Sequence, residues 1–166
     1  MSNTVINTNF RGALETCIDL NKLHQLIPNN KLHIKPKQLV VKDVMGVIIF
    51  FSNGKLRIMG CNNDFDATLL AYKYTTLVAP YETPDICLQS MTVKVSIGRR
   101  LNLTQLQKLI DPSTLELEIF PALLIQKYKP ISVNVFSTGN IIFCGIKKMD
   151  NVENIMTELN HAIYQL

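Results

Sequence analysis

Phe136-Ser-Thr-Gly-Asn-Ile-Ile-Phe-Cys-Gly145 stands in the second half of the chain, and Phe51-Ser-Asn-Gly-Lys-Leu-Arg-Ile-Met-Gly60 stands in the first. Each has an aromatic residue, a small polar pair, a glycine, and a mostly apolar run closed by a second glycine. Ser-Asn-Gly and Ser-Thr-Gly are turn chemistry, because glycine reaches positive φ without a Cβ clash. The preceding stretches, Gly46-Val-Ile-Ile-Phe-Phe51 and Ile131-Ser-Val-Asn-Val-Phe136, are rich in β-branched and aromatic residues. Each copy therefore reads as a β-hairpin.

The recurrence extends beyond the hairpins. Phe51 and Phe136 are 85 residues apart, as are Gly60 and Gly145. Ile18-Asp-Leu-Asn-Lys-Leu-His-Gln-Leu-Ile-Pro28 matches Leu101-Asn-Leu-Thr-Gln-Leu-Gln-Lys-Leu-Ile-Asp111 at a spacing of 83. Both carry apolar residues at helical spacing behind an Asp or Asn suited to cap a helix. Agreement in order, spacing and type predicts an internal duplication, with repeats over residues 1–83 and 84–166 sharing one domain.

Reading outward, residues 4–14 form a strand with small and polar side chains on one face. A helix at 19–27 follows, ended by Pro28. Lys35-Pro-Lys-Gln-Leu-Val-Val41 leads into a strand and the first hairpin, and 64–79 reads as a long helix closed by Pro80. The second half repeats the order: a strand at 86–97, a helix at 103–110, a strand at 115–128, the second hairpin, and a final amphipathic helix carrying Val152, Ile155, Met156, Leu159 and Ile163.

Composition limits the function classes. The 166 residues are 47% apolar and 18% charged, enough for a core and too apolar for disorder. No apolar run reaches the ~18 residues of a membrane span, and no signal-like start is seen, so an intracellular chain is expected. Cys17, Cys61, Cys87 and Cys144 are scattered singly and read as small core residues in a reducing compartment. His24, His33 and His161 lie far apart, with no phosphate loop or nucleophile elbow. Neither an enzyme nor a metal or cofactor site is expected, and no small-molecule substrate. The net charge of +4 permits an anionic partner.

With these residues in view, the chain resembles the TATA-box-binding protein family. Its two hairpins are similar to that family's duplicated signature. Leu115-Glu-Leu-Glu-Ile-Phe-Pro121 resembles the family's Tyr-Glu-Pro-Glu-Leu-Phe-Pro, and Lys129-Pro130 its Lys-Pro before the second hairpin. Ile18-Asp-Leu20 resembles its Leu-Asp-Leu, and Lys35-Pro-Lys37 its Asn-Pro-Lys.

The resemblance implies an α+β saddle: two pseudo-symmetric repeats in one curved antiparallel sheet, with four helices on the convex face and DNA on the concave one. It implies a transcription initiation factor that binds A·T-rich promoter duplex in the minor groove, bends it, and recruits a B-type general transcription factor and the RNA polymerase machinery. The expected location is the nucleus, or a cytoplasmic virus factory for a viral member. The family's phenylalanine wedges, two per half, fall on Leu39, Phe51, Phe120 and Phe136. Its base-contacting positions fall on Asn7, Ser90, Met59 and Cys144, the last two replacing threonines. Phosphate contacts are implied for Lys35, Lys37, Lys55, Arg57, Arg100, Lys129 and Lys147. Glu116, Glu118 and Ile119 fall on the stirrup that docks the B-type factor. Strand alternation would put both glutamates on one face there. A second reading stays open at this point: a module of the same fold that has lost specific DNA binding and serves protein interactions.

Overall fold

The computed structural model describes residues 2–166. By contact these form two compact units, Asn7–Gln89 and Ser90–Leu166, the second joined by the chain's first residues through Ile6. The first unit takes β1 (Ser2–Ala13) from Asn7 onward, α1 (Leu20–Leu26), β2 (Asn30–His33), β3 (Gln38–Asp43), β4 (Gly46–Phe51), β5 (Lys55–Met59) and α2 (Asp64–Thr75). The second takes β6 (Cys87–Ser96) from Ser90 onward, α3 (Leu103–Leu109), β7 (Ser113–Leu115), β8 (Ala122–Ile125), β9 (Ser132–Phe136), β10 (Asn140–Ile146) and α4 (Met149–Ile163). Strand order is β2-β3-β4-β5-β1 in one and β6-β10-β9-β8-β7 in the other, all antiparallel where registers are defined. The duplication read from sequence is thus a duplication of element order and of topology.

Backbone hydrogen bonds explain why the hairpin and helix islands recur together. The turn at Gly54 receives Leu14 N–H on its carbonyl at 2.9 Å, and Ser52 receives Ile18 N–H at 3.0 Å. In the second unit Gly139 receives Ile97 N–H and Ser137 receives Leu101 N–H, both at 3.0 Å. Each hairpin turn therefore holds the segment that leads into the following helix. Gly54 and Gly139 sit at φ +81° and +84°. A Cβ on Gly54 would stand 2.5 Å from the Leu14 carbonyl oxygen, and one on Gly139 would overlap that of Arg99.

The helices start where capping chemistry places them. Asp19 accepts from Asn21 N–H and Lys22 N–H at 3.0 and 3.2 Å, Asn102 from Gln105 N–H at 3.1 Å, and Asn63 from Asp66 N–H at 2.8 Å. Each cap contributes about 1 kcal/mol. The seven-residue helices α1 and α3 are too short to stand alone. They persist because Leu20 and Leu23, and Leu103 and Leu106, are buried against the sheets. The predicted helix over 64–79 ends at Thr75, and Leu77 and Val78 follow in tight turns onto Tyr74 and Thr75 carbonyls.

In each unit the helices cover one face of the sheet. Ile48, Phe50, Leu56 and Ile58 lie under α1 and α2, and Val133, Val135, Ile141 and Phe143 under α3 and α4. Alternation sends the intervening residues to the other face, which no element of the described residues covers.

Two sequence expectations are corrected here. Leu39 is not an exposed wedge: its side chain is fully buried, opposite Phe50 on the helix-covered face. The residue that stands beside Phe51 is Gln38. The strand expected over 115–128 is interrupted after Leu115 by a turn in which Ile119 N–H and Phe120 N–H both donate to the Glu116 carbonyl at 2.9 Å. Strand alternation therefore does not govern Glu116 to Ile119.

Candidate nucleic-acid interface

The uncovered face of the first unit is read directly from the registers. On β1 it carries Asn7, Asn9, Arg11 and Ala13, alternating with buried Thr8 and Phe10. On β5 it carries Lys55, Arg57 and Met59, and on β4 Ile49 and Phe51. Asn9 stands opposite Met59, and Arg11 opposite Arg57. Arg11 Nε–H donates to Cys87 Sγ at 3.3 Å, a bond that pushes the already basic guanidinium up further. A hollow of about 610 Å³ is lined by Arg11, Phe51, Lys55, Arg57, Asp85 and Gln89 among others. Lys35 and Lys37 are exposed in the turn between β2 and β3.

The corresponding face of the second unit is less charged. It carries Ser90, Thr92 and Lys94 on β6, Asn140, Ile142 and Cys144 on β10, and Asn134 and Phe136 on β9. Cys144 stands opposite Thr92 and Ile142 opposite Lys94. Phe136 meets Phe120 edge to face, with ring centroids 5.9 Å apart and planes at 67°. The small Ala122, cross-strand from Phe136, leaves room for that second ring. Phe120 is 39% exposed.

The remaining candidates fall as follows. Lys129 is exposed between β8 and β9, and Lys147 just beyond β10. Arg100 is exposed before α3, whereas its neighbour Arg99 is committed to the Ile163 carbonyl at the end of α4, 2.6 Å away. Glu116, Glu118 and Ile119 are all exposed in the β7–β8 turn, Ile119 at 80%. Among the described residues the ion pairs are Lys73–Asp43 and Lys127–Glu158, so none of the proposed cationic contacts is neutralised by one. Asp43 also accepts from Tyr74 Oη, and its bond with Lys73 holds the carboxyl down at about 2.

Sequence reasoning missed Asn9, Arg11, Thr92, Lys94 and Asn134. The signal was there for β1, since Asn7-Thr-Asn-Phe-Arg11 alternates with a period of two. The cysteine reading holds only for Cys61, whose thiol burial pushes up; Cys17 and Cys87 are exposed, and Cys144 lies on the uncovered face. No metal-holding cluster of His, Cys, Asp or Glu occurs among the described residues, and no described helix is long and apolar enough to cross a membrane.

Comparison with known proteins agrees with this geometry. The sequence model of the family described as transcription factor TFIID, or TATA-binding protein, matches residues 85–166. A TATA-box-binding protein of Thermococcus kodakarensis is 24% identical over 159 residues, spanning 88% of this chain and 84% of that protein. One of Pyrococcus abyssi is 27% identical over 139 residues, spanning 78% and 73%. The solved structure of Methanococcus jannaschii TBP is similar over the whole of both chains, with a TM-score of 0.86 at 19% identity. The fold is therefore shared, and the described residues supply ten antiparallel strands and four helices.

Proposed function

We propose that the chain is a divergent member of the TATA-box-binding protein family, a reading supported by the family model over residues 85–166, the relatives and the shared fold, and that it is a transcription initiation factor that binds and bends A·T-rich promoter DNA from the minor-groove side. The observation that carries this reading is the aromatic pair Phe120–Phe136, two rings in edge-to-face contact on the face the helices leave uncovered. Apolar wedges of this kind unstack a base step and are offset by the larger surface a bent duplex can contact, this family being a standing example. The repeats over 1–83 and 84–166 would each present an uncovered sheet face to the duplex.

Asn7 and Ser90 would bond minor-groove acceptors, while Met59 and Cys144 make apolar contact. The minor groove separates A·T from G·C mainly by the guanine amino group, so such contacts favour A·T without reading its order. Lys35, Lys37, Lys55, Arg57, Arg100, Lys129 and Lys147 would meet phosphates and make binding fall with salt. Phe120→Ala and Phe136→Ala are each expected to lower affinity roughly tenfold or more, by loss of a stacking ring. They should also reduce the bend read by end-to-end fluorescence transfer. An unchanged bend in both variants would remove the wedge reading.

A partner surface is supported by the β7–β8 turn, where Glu116 and Glu118 are exposed beside Ile119. It would dock a basic surface of a B-type general transcription factor and, through it, the polymerase machinery. Single exposed charge pairs contribute about 0–1 kcal/mol, but two together set orientation and on-rate. Glu116→Arg with Glu118→Arg is expected to abolish recruitment of a B-type factor and to spare the binary DNA complex. Recruitment that survives both reversals would place the partner elsewhere.

A further inference from the structure

Arg11 and Arg57 stand directly opposite one another on neighbouring strands of the first unit, both exposed. Like charges in that cross-strand position are destabilising and are relieved by an anion between them. Lys55 is exposed on the same face, and the hollow these three line contains one carboxylate, Asp85. The matching positions of the second unit, at the repeat spacings of 83 and 85, are Lys94, Ile142 and Asn140. One cation there replaces three.

The aromatic residues are distributed in the opposite sense. The second unit holds two rings in contact, Phe120 and Phe136. In the first, Phe51 has Gln38 as its cross-strand neighbour, and the apolar residue next in sequence, Leu39, is buried with Phe50. Among the described residues the first unit therefore has no counterpart of the ring pair that Phe120 and Phe136 form.

We propose that the two units handle the duplex differently: the first anchors it by charge, with Arg11, Arg57 and Lys55 on its phosphates, and the second alone unstacks a base step, with Phe120 and Phe136. The DNA then carries one kink, not one at each end. This rests on the DNA-binding function proposed above. Each phosphate neutralised contributes about 0.9 to the slope of log affinity against log salt. Replacing both arginines therefore flattens that slope by about two, a change that touches the anchor and not the wedge.

The test uses the full chain and an A·T-rich duplex carrying 2-aminopurine at successive steps, with gel retardation over a salt series. The expected result is a fluorescence rise at one step, lost in Phe120→Ala and in Phe136→Ala. The rise should persist in Arg11→Gln/Arg57→Gln, whose salt slope is shallower by about two. Two separate unstacked steps of similar strength, or an unchanged slope in the double variant, would overturn the division of labour while leaving DNA binding intact. Absence of any retarded complex at low salt would instead overturn the DNA-binding function itself, and this inference with it.

Discussion

Leu39→Ala is expected to cost about 2–5 kcal/mol of stability, the range for a buried leucine truncated in a packed core. It should leave the affinity for DNA unchanged at temperatures where the variant is folded. The reason is the register of β3 on β4, which places Leu39 opposite Phe50 on the helix-covered face with no solvent exposure. Leu39→Phe should not supply a missing wedge. It adds volume to a closed core and is expected to destabilise by about 1–3 kcal/mol. Chemical denaturation and gel retardation on the two variants check both statements. If Leu39→Phe raises affinity with no loss of stability, the side chain faces outward, and β3 is paired one residue out of the register described.

Gly139→Ala should be the most damaging single-methyl change in the second unit. At φ +84° a side chain is strained by about 1–3 kcal/mol from backbone conformation alone. The added Cβ also collides with the Arg99 backbone, overlapping its carbonyl oxygen and lying 3.0 Å from its carbonyl carbon. Backbone is poorly able to yield, because this segment is fixed by the Ile97 and Leu101 bonds to the turn. Gly98→Ala supplies the control: it has φ +79° with nothing within 4 Å of the Cβ position. Thermal denaturation of the pair should show Gly139→Ala losing clearly more than Gly98→Ala, the difference measuring the collision. Equal losses would mean that the hairpin turn is not braced against the strand-to-helix connection.

Those braces also explain what could be read from the residues. The hairpin glycines and the helix islands recur because each turn is hydrogen-bonded to the segment before the next helix, so the same residue types are needed at both places. Capping residues Asp19 and Asn102 marked helix starts for a local reason that needs no tertiary context. The face of β3 was not legible. Leu39, Val40 and Val41 are all apolar, so alternation is silent and only pairing with β4 decides which one is buried. The β7–β8 turn was hidden likewise: Leu115-Glu-Leu-Glu-Ile119 has strand-like alternation, yet its backbone closes on the Glu116 carbonyl. Arg11 was visible by period two beside Asn7 and Asn9, but a cation facing another cation makes sense only once the register with Arg57 is known.

The measurement that bears most directly on the proposed function is end-to-end fluorescence transfer on a short A·T-rich duplex titrated with the unaltered protein at low salt. A saturable rise in transfer, weakening as salt is raised and much smaller on a G·C-rich duplex of equal length, is the predicted result. Binding without any change in end-to-end distance, or no binding to either duplex, would contradict it.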